Sequence, residues 1–213
     1  GIGIMEHSHR GAAFTRVIDD ARESCRTVGS IPDDFEVLFL QGGASTMFAL
    51  LPLNLLPEDG TADYIHTGAW TKKAIADAGT VRSINTIWDG TDCNFKHLPG
   101  DDELRHSDDP RYTYYCSNNT IYGTMWAQPP AARGWLINDA SSEMFSRPID
   151  WSTHDVVYAG AQKNLGPSGV TLVIIRKALL ESINEHMPSM FRFDLHAKNG
   201  SCLNTPPTFG IHV

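Results

Sequence analysis

The chain has 213 residues, 41% of them hydrophobic and 20% charged, which suits one large folded domain with a substantial core. Its formal charge of −8 disfavours non-specific nucleic-acid binding, because a phosphate backbone repels an acidic surface. No stretch approaches the ~20 apolar residues of a membrane span, and residues 1–10 lack the basic-then-apolar pattern of a secretion signal.

Residues 12–26 read as a helix, with Phe14, Val17, Ile18, Ala21 and Cys25 spaced by three and four. Residues 36–40 form an apolar strand that ends in Gly42-Gly43. A helix is expected over 44–51, with Ser45 or Thr46 near its N-cap and Pro52 as its end. The alternation continues with a strand at 62–66, a helix at 70–78 and a strand at 81–84. Further strands are expected at 112–116, 134–138, 155–159 and 170–176, and a helix at 177–185. Residues 98–110, rich in Asp with Gly and Pro, read as an exposed loop. Strands alternating with helices predict an α/β fold with a mostly parallel central sheet flanked by helices. Such sheets bind ligands at the carboxyl ends of their strands.

Cys25, Cys93, Cys116 and Cys202 are scattered, without a CxxC pair, and are expected to be reduced, buried thiols in a cytoplasmic protein. The Asn-x-Ser/Thr matches at Asn118 and Asn199 are accidental if the chain is not secreted. Gly1 opens directly on a patterned segment, and Thr205-Pro206-Pro207-Thr208-Phe209 looks like the entry to another element. The sequence is therefore expected to be a piece of a longer protein.

Three places beyond strand ends carry chemistry. Gln41-Gly42-Gly43-Ala44-Ser45-Thr46 is either a phosphate cradle at a helix N-terminus or an ordinary strand–turn–helix corner. Asp139, after Trp135-Leu136-Ile137-Asn138, is either a buried carboxylate in need of a partner or an N-cap for Ser141-Ser142. Lys163 lies in a glycine-rich loop between two apolar strands, a setting that favours a partly desolvated amine able to act as nucleophile and base. The loop is neither GxxxxGK[ST] nor GxGxxG. His7-Ser8-His9 has the spacing of a two-histidine metal pair on a strand, but further ligands are lacking, so no metal is expected. A lysine, a carboxylate and an anion cradle together are what pyridoxal phosphate requires, and Trp70 offers an aromatic plate unless it is simple core.

Ala159-Gly160-Ala161-Gln162-Lys163-Asn164-Leu165-Gly166-Pro167 is similar to the cofactor-lysine signature of phosphoserine aminotransferases. So are Asp139-Ala140-Ser141-Ser142 with Ser146-Arg147-Pro148-Ile149-Asp150, Ser8-His9-Arg10-Gly11, Gly42-Gly43-Ala44-Ser45, Asn118-Asn119-Thr120-Ile121-Tyr122-Gly123 and Asn204-Thr205-Pro206-Pro207-Thr208. The resemblance covers residues 1–213.

The resemblance implies the large domain of the aspartate-aminotransferase (type I) fold over residues 1–213, incomplete at both ends, with the small C-terminal domain and its substrate arginine lying outside the chain. It implies an obligate homodimer that moves the amino group of glutamate to 3-phosphohydroxypyruvate, giving phosphoserine and 2-oxoglutarate in serine biosynthesis. Some members also serve pyridoxine synthesis. By motif, Lys163 holds pyridoxal 5'-phosphate as a Schiff base and Asp139 faces its pyridine nitrogen. Trp70 stacks on the ring and Thr120 bonds the ring oxygen. Ala44, Ser45 and Gln162 hold the phosphate, while Asn204 and Thr205 reach the neighbouring subunit's cofactor or merely begin a helix. Arg10, supported by His9, binds an anionic substrate group, unless it is a plain surface cation. The competing expectations are another enzyme of the fold, such as a cysteine desulfurase or an alanine–glyoxylate type transaminase, and a fragment without activity.

Overall fold

Seven strands form one sheet in the order β1-β9-β8-β7-β4-β2-β3. The computed structural model describes residues 1–213. The strands are β1 (Phe35–Gln41), β2 (Thr61–His66), β3 (Ser83–Asp89), β4 (Tyr112–Cys116), β7 (Trp135–Asp139), β8 (Val156–Gly160) and β9 (Val170–Arg176). A separate hairpin joins β5 (Asn118–Asn119) to β6 (Thr124–Met125). Strands β8, β7, β4, β2 and β3 pair in parallel, whereas β9 runs antiparallel to both β8 and β1. The mostly parallel α/β sheet expected from the sequence is the one observed.

Strand β1 therefore points the same way as β8. The carboxyl ends of β1, β2, β4, β7 and β8 all emerge at one edge of the sheet, and that edge carries the site. Strands β4 and β8 are buried along their whole length, as expected where helices cover both faces. On one face Leu38, Leu40, Tyr64, Tyr114 and Tyr158 pack under helices α2 (Ala44–Leu55) and α3 (Ala69–Gly79). On the other, Val37, Phe39, Val157 and Ala159 pack with Phe14 and Ile18 of helix α1 (Ala12–Gly29). Alternation along each strand divides the two cores.

Several boundaries differ from expectation. Helix α2 runs through Pro52 to Leu55. Phe48, Leu51, Pro52 and Leu55 are all buried on its core face, and this packing overrides the bias of a proline against helix. Its N-cap is Gly43, which leaves Ser45 and Thr46 inside the first turn rather than capping it. Strand β3 begins at Ser83 instead of Val81 and is largely exposed as the sheet edge, so its Asn85 and Thr86 hid it from an apolar pattern. The helix after β9, α4, stops at Leu180, where the Ser182 hydroxyl bonds the Leu179 carbonyl and competes with the ladder. Residues 98–110 are not a plain exposed loop. They hold a 3-10 turn, Asp101–Glu103, and a buried Leu104. Only Cys116 of the four free cysteines is buried. His7 and His9 sit in a bend and a turn, not on a strand.

Two short helices, α5 (Phe193–Lys198) and α6 (Thr208–His212), complete the chain. Asn54 of α2 anchors α5. Its amide donates to the carbonyls of Leu50 and Phe191, and its oxygen accepts the buried Phe193 N–H at 2.9 Å. Asn54→Ala should cost about 1–3 kcal/mol, the penalty for leaving a buried donor without a partner. In urea unfolding the midpoint should fall with an unchanged slope. An unchanged midpoint would show that Asn54 is replaceable packing.

Candidate active site

Ala44, Ser45, Trp70, Asp139, Gln162 and Lys163, six of the residues singled out from the sequence, line one open cleft of about 400 Å³ at the carboxyl edge of the sheet. Thr120 joins them from the β5–β6 hairpin, with its Oγ1 3.4 Å from Lys163 Nζ.

Asp139 ends β7 and is 3% exposed. Its Oδ1 accepts from the Ser141 N–H at 3.0 Å and the Ser141 hydroxyl at 2.6 Å, and its Oδ2 accepts from the Tyr158 hydroxyl at 3.0 Å. Ser141 Oγ also accepts the Gly160 N–H at 3.1 Å, which ties the end of β7 to the end of β8. The N-cap reading of Asp139 is half right: it does bond the Ser141 N–H, but as a buried anion facing the cleft. Burial pushes its carboxyl above the usual carboxylate range, against the pull of Ser141, Tyr158 and the Lys163 charge.

The Gly42-Gly43 turn delivers the start of α2 to the same cleft. Gly42 has φ +111, and a Cβ there would sit 2.3 Å from Thr46 Oγ1, so the turn demands glycine. The first N–H groups of α2 have no intrahelical partner, and the residues that carry them line the cleft, an arrangement that suits an anion. A Cβ on Gly160 would lie 3.0 Å from the Ala44 nitrogen and 2.6 Å from Gln162 Oε1. Glycine there lets the Gln162 amide and the α2 N-terminus approach each other.

Lys163 lies in the loop after β8, which is closed by Gly166 N–H to Ala161 carbonyl and by the Asn164 amide to the Met144 carbonyl at 2.7 Å. It is exposed to the cleft, not partly buried as its loop suggested. Its Nζ lies 5.3 Å from the centre of the half-buried Trp70 ring. Trp70 is therefore a wall of the cleft, near the amine.

Sequence reasoning overlooked the Ser141 hydroxyl and Tyr158 as partners of Asp139, although the N-cap reading pointed to the Ser141 backbone. The Asp-x-Ser spacing is an Asx-turn signal that could have exposed the first. Nothing local marks the second, which reaches Asp139 only through strand pairing. Cys116 also lines the cleft, but burial, followed by the Asp139 charge, pushes its thiol well up and keeps it protonated.

The remaining expected residues lie elsewhere. Arg10, His9, Asn204 and Thr205 do not line the cleft. Arg10 is exposed. His9 Nδ1 and Thr205 Oγ1 are 3.3 Å apart, and the Gln41 amide donates to the Thr205 carbonyl. This small network joins both ends of the chain to the strand that precedes the Gly42-Gly43 turn.

The donor set fits pyridoxal phosphate. There is a buried carboxylate for a protonated ring nitrogen, a helix N-terminus for a phosphate, an amine for the aldehyde and an indole face for the ring.

A family model described as aminotransferase class-V matches residues 1–209. A phosphoserine aminotransferase of Desulfotalea psychrophila is 45% identical over 100% of this chain and 59% of its own length. The solved phosphoserine aminotransferase from Bacillus circulans subsp. alkalophilus superposes with TM-score 0.95 at 43% identity, over 100% of this chain and 59% of that one. A PLP-bound phosphoserine aminotransferase from Trichomonas vaginalis superposes with TM-score 0.94 at 37% identity, over 100% of this chain and 64% of that one. This chain thus spans about three fifths of the relatives it matches, 59% of the first. Its fold is the aspartate-aminotransferase type that those structures share.

Asp139 links stability to pH. Its folded carboxyl is raised above the unfolded value of about 3.9, so the folded state holds the proton more tightly. The destabilisation is absent below that value and grows as pH rises through the folded value. Asp139→Asn should therefore make the unloaded chain more stable near pH 7 and no different in strong acid. Urea unfolding at several pH values checks this, and parallel curves for the two proteins would refute it.

Proposed function

The chain belongs to the class-V aminotransferases, and from that premise we propose that it is the pyridoxal-phosphate-binding part of a phosphoserine transaminase. One observation carries the reading: the Lys163 amine and the buried Asp139 carboxylate face a single cleft that the N-terminus of α2 also enters. The reaction moves the amino group of L-glutamate to 3-phosphohydroxypyruvate, giving O-phospho-L-serine and 2-oxoglutarate for serine biosynthesis.

When bound, the cofactor supplies a ring that takes up negative charge from a substrate carbon. Lys163 supplies the amine that holds the aldehyde and, once freed, moves the proton at the substrate α-carbon. Asp139 keeps a proton on the ring nitrogen. Trp70 covers the ring, and the Thr120 hydroxyl bonds the ring oxygen. The N–H groups of Ala44 and Ser45, with the Gln162 amide, hold the phosphate. Arg10, steadied by His9, pairs with the distal carboxylate or phosphate of the substrate, a task suited to a planar guanidinium.

The reading includes a homodimer. Asn204 and Thr205 lie outside the cleft of their own chain, in keeping with a role at the neighbouring subunit's cofactor phosphate. Residues 1–213 then form the large domain of each subunit. Four free cysteines accord with a reducing, cytoplasmic setting. Because the chain spans 59% of its relative's length, a second reading is that it binds cofactor alone without turning over substrate. Visible-edge absorbance on adding pyridoxal phosphate, followed by a transamination assay, separates the two.

Borohydride reduction of the loaded chain followed by peptide mapping should mark Lys163. A label on Lys72, Lys73 or Lys177 would end the assignment.

In the full-length parent, Arg10→Ala should lower kcat/KM for glutamate and for the phospho-oxo acid by roughly ten- to a hundred-fold, the worth of a charge-assisted contact. Activity toward alanine, which has no distal anion, should change little. Equal losses toward alanine and glutamate would make Arg10 structural.

A further inference from the structure

Packing alone does not explain the phenols beneath the cleft. Tyr64, Tyr112, Tyr114 and Tyr158 are fully buried. A hydroxyl in an apolar core is costly unless bonded, and phenylalanine would fill almost the same space. Two of the four close on each other, Tyr64 and Tyr112, with hydroxyls 2.8 Å apart. The other two lead to the cleft. Tyr158 donates to Asp139 Oδ2 at 3.0 Å, and the Tyr114 hydroxyl lies 2.9 Å from that of Tyr158.

Proton count sets the direction of this chain. An ionised carboxylate only accepts. Tyr158 has one hydroxyl proton, and it lies on the bond to Asp139. The Tyr114 hydroxyl must then donate to Tyr158. Donors in series polarise one another, so each strengthens the next.

The two oxygens of Asp139 are not equally supplied. Oδ1 has two donors, both from Ser141, whereas Oδ2 has Tyr158 alone. The phenols come from both strands that flank β7. Tyr158 is the cross-strand partner of Asp139 on β8, and Tyr114 lies on β4. The Tyr114 ring is stacked on Tyr64 with centroids 4.7 Å apart, which fixes the donor in place. The other ionisable groups near the carboxylate are the Lys163 amine, which favours its charge, and the Cys116 thiol.

We infer that Tyr158 is a positioning residue for Asp139, with Tyr114 as its own donor: it fixes the rotation of the carboxylate and keeps it charged beneath the cleft. Why that charge matters rests on the functional reading above. How it is held does not.

The test follows the Asp139 carboxyl by NMR in the unloaded chain, with isotopically labelled aspartate, as pH is raised. Tyr158→Phe should move its titration upward, and Tyr114→Phe should move it the same way by less. In the loaded full-length parent, Tyr158→Phe should lower kcat about tenfold, the lower bound for one charge-assisted hydrogen bond, and leave the KM for glutamate unchanged. In an Asp139→Asn background the same substitution should have no further effect. A Tyr158→Phe chain that is folded yet titrates like the wild type would overturn the inference. If Tyr158→Phe fails to fold, Tyr114→Phe, which leaves the bond to Asp139 in place, decides it by the same titration. If the titration moves but the wild-type chain takes up no pyridoxal phosphate, the functional reading falls and the hold of Tyr158 on Asp139 stands.

Discussion

The buried carboxylate of Asp139 is the constraint on which the site depends. An anion that is 3% exposed persists only if hydrogen bonds replace its water. Ser141 and Tyr158 do so, and each needs the rest of the fold to be in place. Ser141 must turn back over the end of β7 while its oxygen holds the Gly160 N–H. Tyr158 must stand directly across from Asp139 on β8. A slip of one residue between these strands would turn Tyr158 to the other face and leave the carboxylate without its Oδ2 donor. The register of the sheet and the charge in the cleft are thus one requirement. Burial, and after it the Asp139 charge, keeps Cys116, opposite it on β4, a thiol.

The remaining parts converge because the strands share a direction. Trp70 follows β2, Asp139 ends β7, Lys163 follows β8, and the Gly42-Gly43 turn follows β1. β9 alone runs the other way, and by doing so it lets β1 deliver its helix N-terminus to the same edge. Two glycines make the final approach possible. Gly42 takes a left-handed backbone where Thr46 leaves no room for a side chain, and Gly160 lets Gln162 and Ala44 come together.

Much of this was legible in the sequence, for identifiable reasons. The apolar runs ending at Leu40, Ile137 and Ala159 report strands buried on both faces, which read clearly because no polar residue interrupts them. The lysine, the aspartate and the glycine turn each sit just past such a run. What could not be read lies in long-range pairing. Pro52 looked like a helix end because its burial against the sheet is invisible locally. Strand β3 was cut short because an exposed edge strand carries Asn85 and Thr86 in place of an apolar pattern. The exposure of Lys163 depends on which way its loop opens. Tyr158, inside the expected strand 155–159, carried no local mark, and only the pairing of β7 with β8 brings its hydroxyl to Asp139.

The position of β1 bears on how the molecule is assembled. It is the first strand in the sequence, yet its neighbour in the sheet is β9, the last, with Phe35 opposite Arg176. As the chain leaves the ribosome, β1 has no edge to join until more than a hundred further residues have been made. The central parallel strands can pair earlier, but the Gly42-Gly43 turn stays unanchored until β9 arrives. Closing so long a loop is entropically slow. Throughout that interval the apolar residues of β1, from Phe35 to Leu40, lack their strand partner, an exposure that favours self-association over folding.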